Sequence, residues 1–301
     1  MAIVLVGVAR GDLSNEEWAR LGPHLPKNVG RGGRWKNHHR VINGILFRQR
    51  TGIPWRDLPT RFGKWKTVHD RHRRWSADGT WDRILRRAVQ ADADVEGRID
   101  WSMVSVDSTV CRAHQHAAGA RKRAPRKLGK RTQPAQHRPD EALGRSRGGL
   151  STKIHLAAEG GLRPLALLVT PGQWGDAPHM VPVLDRIRVP RPAGGHPRTR
   201  PDHLSGDKAY SSRRNRCYLR RRQVKHTIPE RRDQRTHRQN RGSQGGRPTS
   251  FGPSRYARGN EVERTINQLK GFRAVAARFD KRAYVIHGTV TAAAVRLWLR
   301  S

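Results

Sequence analysis

Near residue 100 the period of the apolar residues changes, and this change constrains the fold more than any other feature of the chain. Before it, apolar residues recur at helical spacing; after it, they come in short runs bounded by Gly and Pro that read as strands. In the first part, Ser14 and Glu17 form a capping box, each side chain satisfying a backbone N–H at a helix start. That helix runs through Trp18 and Leu21 and stops near Gly22-Pro23. Residues 37–50 place Val41, Ile42, Ile45 and Leu46 on one face, and Gly52 ends the helix. Residues 66–77 predict a helix with Trp65, Val68 and Trp75 inward and Arg71, Arg73 and Arg74 outward. Thr80 caps another over 81–89, whose apolar face holds Trp81, Ile84, Leu85, Ala88 and Val89.

Short helices with basic outer faces suit a helix-turn-helix arrangement, in which one helix enters the major groove of DNA. A basic but merely solvated bundle is the alternative. Residues 13–98 are thus expected to form a small all-α DNA-binding domain, after a short apolar extension over 1–12. From there the pattern is extended: residues 101–106, 151–156, 164–170, 203–207 and 224–228 read as strands. Glu159-Gly160-Gly161 makes a hairpin turn between the second and third. Helices follow at 178–187, 212–222, 260–273 and 284–298. Antiparallel strands first and alternating strand and helix afterwards predict an α/β catalytic domain over 99–301, a mixed sheet flanked by helices.

Charge says what such a domain meets. The 301 residues carry 62 Lys+Arg against 24 Asp+Glu, a net charge of +38, and that self-repulsion calls for a polyanion such as nucleic acid. Residues 111–150 hold eleven Lys+Arg against Asp140 and Glu141, and residues 211–250 hold thirteen against Glu230 and Asp233. Apart from the helix and strand assigned above, both segments predict long basic loops that order on a phosphate backbone. Cys111 and Cys217 cannot make a disulfide framework, which suits a reducing compartment. The apolar run from Ala2 to Ala9 lacks a charged leader and falls short of the roughly 20 residues of a spanning helix. A cytoplasmic location, with no membrane partner, is therefore expected.

Acids are expensive in such a chain unless they pair with Arg or hold a metal. Asp107 and Asp207 follow strand-like runs, and Glu263 flanks the stripe Val262, Ile266 and Leu269 of a helix. Three carboxylates suit two divalent hard cations, which at about 4 Å apart clamp an in-line phosphoryl displacement. Lys270 lies on the same helical face as Glu263. Taken singly, each Asp is also read as a turn former or an Arg partner. Asp176 is read as a helix cap, and Cys111, His114 and His116 lack a fourth ligand for structural zinc.

The local sequences go further. The stretches Val41 to Leu46, Arg50 to Pro59, Arg74-Trp75 and Asp78 to Trp81 stand in order with Val106-Asp107-Ser108-Thr109, Gly206 to Tyr210, Glu263-Arg264, Leu269-Lys270 and Arg278 to Lys281. In this the chain resembles a DDE transposase of bacterial insertion-sequence family five, from about Leu13 to the C-terminus. The resemblance implies an RNase H-like catalytic core and Asp107, Asp207 and Glu263 as both the catalytic and the metal-holding triad. It implies two Mg2+ per site, with Mn2+ able to substitute. It also implies that Tyr256 and Lys270 touch the transposon end. The expected partners are double-stranded DNA, as terminal inverted repeats and as target, and further copies of the chain in a synaptic dimer or larger assembly.

The family pattern has an Arg three residues after the Tyr; here that position is Gly259, and Arg258 lies one residue early. Either Arg258 takes over the contact or a phosphate contact is lost. With Arg71, Arg73 and Arg74, Arg258 completes the set of DNA-binding candidates. The expected function is strand cleavage at the inverted repeats and transfer of the 3′-OH end to target DNA. The competing function is a catalytically decayed copy that only binds DNA as a repressor.

Overall fold

The computed structural model describes residues 11–27, 35, 37–118, 141–249 and 251–300. The apolar run 2–9 and residues 119–140 of the first basic segment lie outside these. The N-terminal third is helical: α1 (Asn15–Leu21), α2 (His38–Thr51), α3 (Trp65–Ala77), α4 (Thr80–Ile84) and α5 (Ala91–Val95). The Ser14–Glu17 capping box is present, and Gly52 ends α2 in the left-handed conformation at φ 71°. A π turn over Leu85–Gln90 joins α4 to α5, so the helix expected to stop at 89 continues to Val95. Thr80 is not its cap: Gly79 holds that position, and Asp78 Oδ1 accepts the Thr80 N–H at 2.9 Å.

The second part begins with β1 (Val104–Ala113) and α6 (Gln115–Ala118), followed by β2 (Gly144–Ser146), β3 (Gly149–Glu159) and β4 (Arg163–Pro171). Then come α7 (Met180–Leu184), β5 (His203–Gly206), α8 (Arg213–Arg221), β6 (Lys225–Thr227) and α9 (Arg232–Asn240). The chain continues through α10 (Pro253–Ala257), α11 (Asn260–Lys270), α12 (Arg273–Ala276), β7 (Ala277–Arg278) and α13 (Ala283–Arg300). β3 is antiparallel to β1 and to β4, whereas β5 is parallel to β1 and β6 to β5. The seven-stranded sheet runs β2-β3-β1-β5-β6, with β4 paired to β3 and β7 to β1; the antiparallel β4, β3 and β1 are thus extended by the parallel β5 and β6, the RNase H-like arrangement.

Two further features, in the second part, differ from the sequence reading. Asp107 does not end a strand but stands within β1, which continues to Ala113 because β3 pairs it from Val104 to Arg112. The polar run Asp107-Ser108-Thr109 disguises this, although Thr and Val at 109 and 110 favour a strand. The second difference is α9, in a basic stretch without apolar periodicity, where a loop is expected.

One apolar cluster runs from Leu13 and Ile45 through Trp75 and Val106 to Trp298 and Leu299, so the helical part and the sheet share a core. α13 joins them, being buried along most of its length. Its Trp298 indole donates to Pro164 O on β4 at 2.7 Å. At its other end Gly288 meets α3: a Cβ there would lie 2.0 Å from Ser76 Oγ and 2.6 Å from Ser76 Cβ. In the same contact His72 of α3 is fully buried between Trp81 and Thr289. The Trp81 indole can only donate, so His72 Nδ1 accepts at 3.1 Å and Nε2–H donates to Thr289 Oγ1 at 3.1 Å. Arg71, expected outward, is instead buried over the Trp35 and Trp75 rings and donates to His38 Nδ1 at 2.8 Å. An Arg stem and a planar guanidinium pack well on indoles, and a helical wheel alone does not register that.

Two expectations follow. Gly288→Ala forces α3 and α13 apart and costs about 1–3 kcal/mol in denaturant unfolding. Adding Ser76→Gly returns most of it; a double variant no more stable than the single one refutes this contact as the cause. Burial foremost pushes the His72 imidazole down to about 4, aided by Arg48 and opposed by Asp280. The unfolded chain therefore takes up the proton first. The contribution, about 3 kcal/mol, is complete above pH 6.5 and is lost as pH falls towards 4. In His72→Gln the pH dependence of unfolding over that window is correspondingly flatter.

Candidate active site

β1 and β5 lie side by side only from Val104–Leu204 to Val106–Gly206. Asp107 and Asp207 are the next residue on each strand, so both stand where the two diverge. Past this point β5 turns into a single 3-10 turn, with Asp207 Oδ1 accepting the Ala209 N–H at 2.8 Å. α11 packs on β1 and β3, and its first turn carries Glu263. Asp107, Asp207 and Glu263 consequently line one cavity of about 50 Å³, together with Tyr256, Gly259, Ser105 and Ser205. Ser105 shares a strand face with Asp107, two residues away. Its hydroxyl and that of Ser205 are buried and make no hydrogen bond among the described residues, giving the cavity a polar floor.

Most carboxylates find a cation: Asp12 pairs with Arg61, Glu159 with Arg163 and Glu230 with Arg238, each within 3 Å. Among the described residues neither Asp107, Asp207 nor Glu263 makes an ion pair. Burial, and then the negative neighbours Asp207, Glu263 and Asp176, push the Asp107 carboxyl up to about 6. Three oxygen donors left unpaired around one cavity suit a hard divalent cation. As the side chains stand, no three His, Cys, Asp or Glu among the described residues converge tightly enough to enclose an ion. Asp207 and Glu263 are exposed, and Glu263 makes no side-chain hydrogen bond among the described residues, so it can close on a cation by a rotamer change.

Asp176 holds the N-cap position of the turn Ala177–His179, but its side chain makes no capping bond. It accepts instead from Ser108 Oγ at 2.6 Å and from Lys153 Nζ at 3.0 Å. The buried His155 stands beside this network with Nδ1 3.8 Å from Asp176, beyond hydrogen-bond distance, while its Nε2 meets Thr170 Oγ1 at 2.8 Å. The sequence signal for it was a lone Lys in the apolar run of β3 and a Ser directly after Asp107. Cys111 is sealed in the core, where burial pushes its thiol up to about 11, and His114 stacks on Phe279 at 4.5 Å. No zinc-holding group involving them exists among the described residues.

The other candidates are dispersed. Tyr256 projects from α10 into the cavity wall, with its ring 5.2 Å from Phe251. Arg258 does not line the cavity; it is bound to Asp100 at 2.7 Å and Glu261 at 3.0 Å. Gly259 does line it, and a Cβ there would lie 2.8 Å from Tyr256 O and 3.1 Å from Ser205 Oγ. Lys270 is half-buried at the far end of α11, within electrostatic reach of Cys111. Arg73 and Arg74 are exposed on α3, Arg73 donating to Tyr284 Oη at 3.2 Å. No helix among the described residues is long and apolar enough to cross a membrane.

The chain can now be set beside known proteins. Residues 102–295 match the family model of the transposase DDE domain, and residues 13–85 match a model of transposases of the IS4/5 family. The uncharacterised protein y4sN of Sinorhizobium fredii is 38% identical over 111 residues, which span 36% of this chain and 83% of that protein. A Burkholderia cepacia protein named as a transposase for insertion sequence element IS402 is 33% identical over 137 residues, 46% of this chain and 57% of its own length. Among solved structures, a Mos1 transposase paired-end complex with the left transposon end aligns at a TM-score of 0.26 and 12% identity, over 87% of this chain and 77% of that one. With the family model covering most of the chain, the conclusion is direct: the protein belongs to the DDE transposases of insertion sequences.

Proposed function

We propose that this protein cuts the DNA strand at the terminal inverted repeats of its own element and joins the freed 3′-OH end to target DNA. The observation that carries this reading is the trio Asp107, Asp207 and Glu263, which share one cavity and pair with no cation among the described residues of a chain of net charge +38. Their carboxylates would hold two Mg2+, or Mn2+, which supply Lewis-acid charge to the attacking and leaving oxygens of a phosphodiester. The protein's part is placement. β1 and β5 hold Asp107 and Asp207 side by side, α11 brings Glu263 over them, and the Ser108–Asp176–Lys153 network steadies the neighbouring segment of β1.

Tyr256 in the cavity wall contacts the transposon end beside the scissile phosphate, and Lys270 further along α11 contacts the same strand. The exposed Arg73 and Arg74 of the helical part, with the basic segments 111–150 and 211–250, hold the flanking duplex through phosphate contacts. Joining two ends requires at least two copies of the chain on DNA.

The test uses a duplex carrying the inverted repeats that flank the gene. With Mg2+ the protein nicks it at the element's end; chelation stops the reaction. Asp107→Asn, Asp207→Asn and Glu263→Gln each lower nicking at least about 100-fold, as expected for loss of a metal's own ligand, while leaving DNA binding within a few-fold. Full nicking in the Asp107 and Asp207 variants sinks the triad. Binding without nicking by the unaltered protein, with either metal, establishes the repressor instead.

A further inference from the structure

α9 has no apolar face. None of its nine residues is buried, and isolated helices this short are marginal in water, so polar contacts alone hold it in place. All of those contacts lie on one side, and most of them end on the turn that follows Asp207. Arg231, at its N-terminal boundary, donates to Lys208 O and to Ala209 O, both at 3.0 Å. One turn on, Gln234 bonds Ser211 twice, donating to its carbonyl and accepting from its hydroxyl, each at 2.7 Å. Arg238 closes the row on Glu230 at 2.9 Å. Beside this row stand Arg232 and Arg235, both exposed and with no side-chain partner among the described residues, and Asp233 is the single acid on the helix.

We propose that α9 is a clamp for the phosphodiester backbone of duplex DNA, and that its inner anchors convey the clamp's engagement to the turn bearing Asp207. The inference rests on Asp207 acting in strand cleavage as described above. Charge complementarity identifies the occupant: Arg232 and Arg235 are i,i+3 neighbours on one face, and duplex DNA offers a phosphate charge every ~1.7 Å of its axis. A helix docked only by hydrogen bonds shifts at small energetic cost. When phosphates hold Arg232 and Arg235 beside the anchor row, Arg231 and Gln234 restrain Lys208, Ala209 and Ser211, and through them the cap that orients Asp207.

Two measurements separate the clamp from the coupling. The first is the salt dependence of binding to a labelled duplex, which needs no cleavage. In Arg232→Gln/Arg235→Gln the slope of log K against log salt becomes shallower by about 2. An unchanged slope removes DNA from α9. The second is the nicking rate at saturating end DNA. Arg231→Ala and Gln234→Ala each lower it about tenfold with an unchanged salt slope, and Arg231→Lys, which keeps one donor, recovers part of it. Wild-type rates in both anchor variants, or a salt slope reduced as in the double Arg variant, refute the coupling. If the unaltered protein binds but never nicks, the cleavage reading fails while the salt-slope result still decides the clamp.

Discussion

The contact between α3 and α13 is the one on which the other placements depend. Gly288 lets Ser76 approach to a distance no other residue permits, and this close crossing brings His72 into hydrogen-bond range of Thr289. Trp81 then packs edge-on against Trp75 at 5.3 Å, which fixes α4 against α3. From the same crossing α13 extends across β4, where Trp298 bonds Pro164 O and takes the Arg163 guanidinium over its ring at 4.4 Å. The connection back towards the active site is short. Between α11 and α13 the chain passes only α12 and β7, and the fully buried Arg278 there donates to Asp280 O, Ala142 O, Thr152 Oγ1 and Lys281 O. Helix–helix packing in the N-terminal part thus reaches the helix that carries Glu263.

Around that frame the few acids divide by role. Some are struts: Glu159 accepts from Arg163 and from the Asp100 N–H, and Asp100 in turn holds Arg258. Asp176 ties β1 to β3 through Ser108 and Lys153. Each strut offsets the cost of a carboxylate with a nearby cation or a donor. Asp107, Asp207 and Glu263 have no such cation among the described residues, and burial, with its negative neighbours, pushes the Asp107 carboxyl up to about 6. In a molecule with 62 Lys+Arg, leaving three neighbouring carboxylates without one requires that Arg and Lys be kept off the strand ends. The serine floor and Gly259 do that, being small groups where a long cation would otherwise reach in.

Much of this was legible in the sequence, because the local rules and the tertiary structure agree there. The capping box at Ser14, the left-handed Gly52 and the turn after Glu159 are set by backbone chemistry within a few residues. The acids were legible as well, since Asp207 follows a short strand and Glu263 flanks a clear apolar stripe. What escaped depends on partners distant in the chain. β1 runs past Asp107 because β3 supplies hydrogen bonds that no periodicity within residues 104–113 announces. Arg71 turns inward because Trp35 and Trp75 offer ring faces. α9 forms without an apolar stripe because carbonyls and a serine of another segment hold it.

The departure at 259 has the same kind of cause. The junction of α10 and α11 lies so close to β5 that any Cβ at 259 would meet both Tyr256 O and Ser205 Oγ inside normal contact. With Gly there, α11 starts directly over Ser205, and Glu263, one helical turn on, falls at the cavity. A side chain at that position forces the Tyr256 carbonyl or Ser205 to give way. Arg258 meanwhile bridges Asp100, ahead of β1, and Glu261 in the first turn of α11, and so fastens the helix start to the root of the strand that bears Asp107. The missing arginine and its displaced neighbour are therefore one arrangement: room for α11 to sit low, and a strut to keep it there. On this geometry the glycine leaves room for α11 to begin against β5, with Glu263 at the cavity that Asp107 and Asp207 also line.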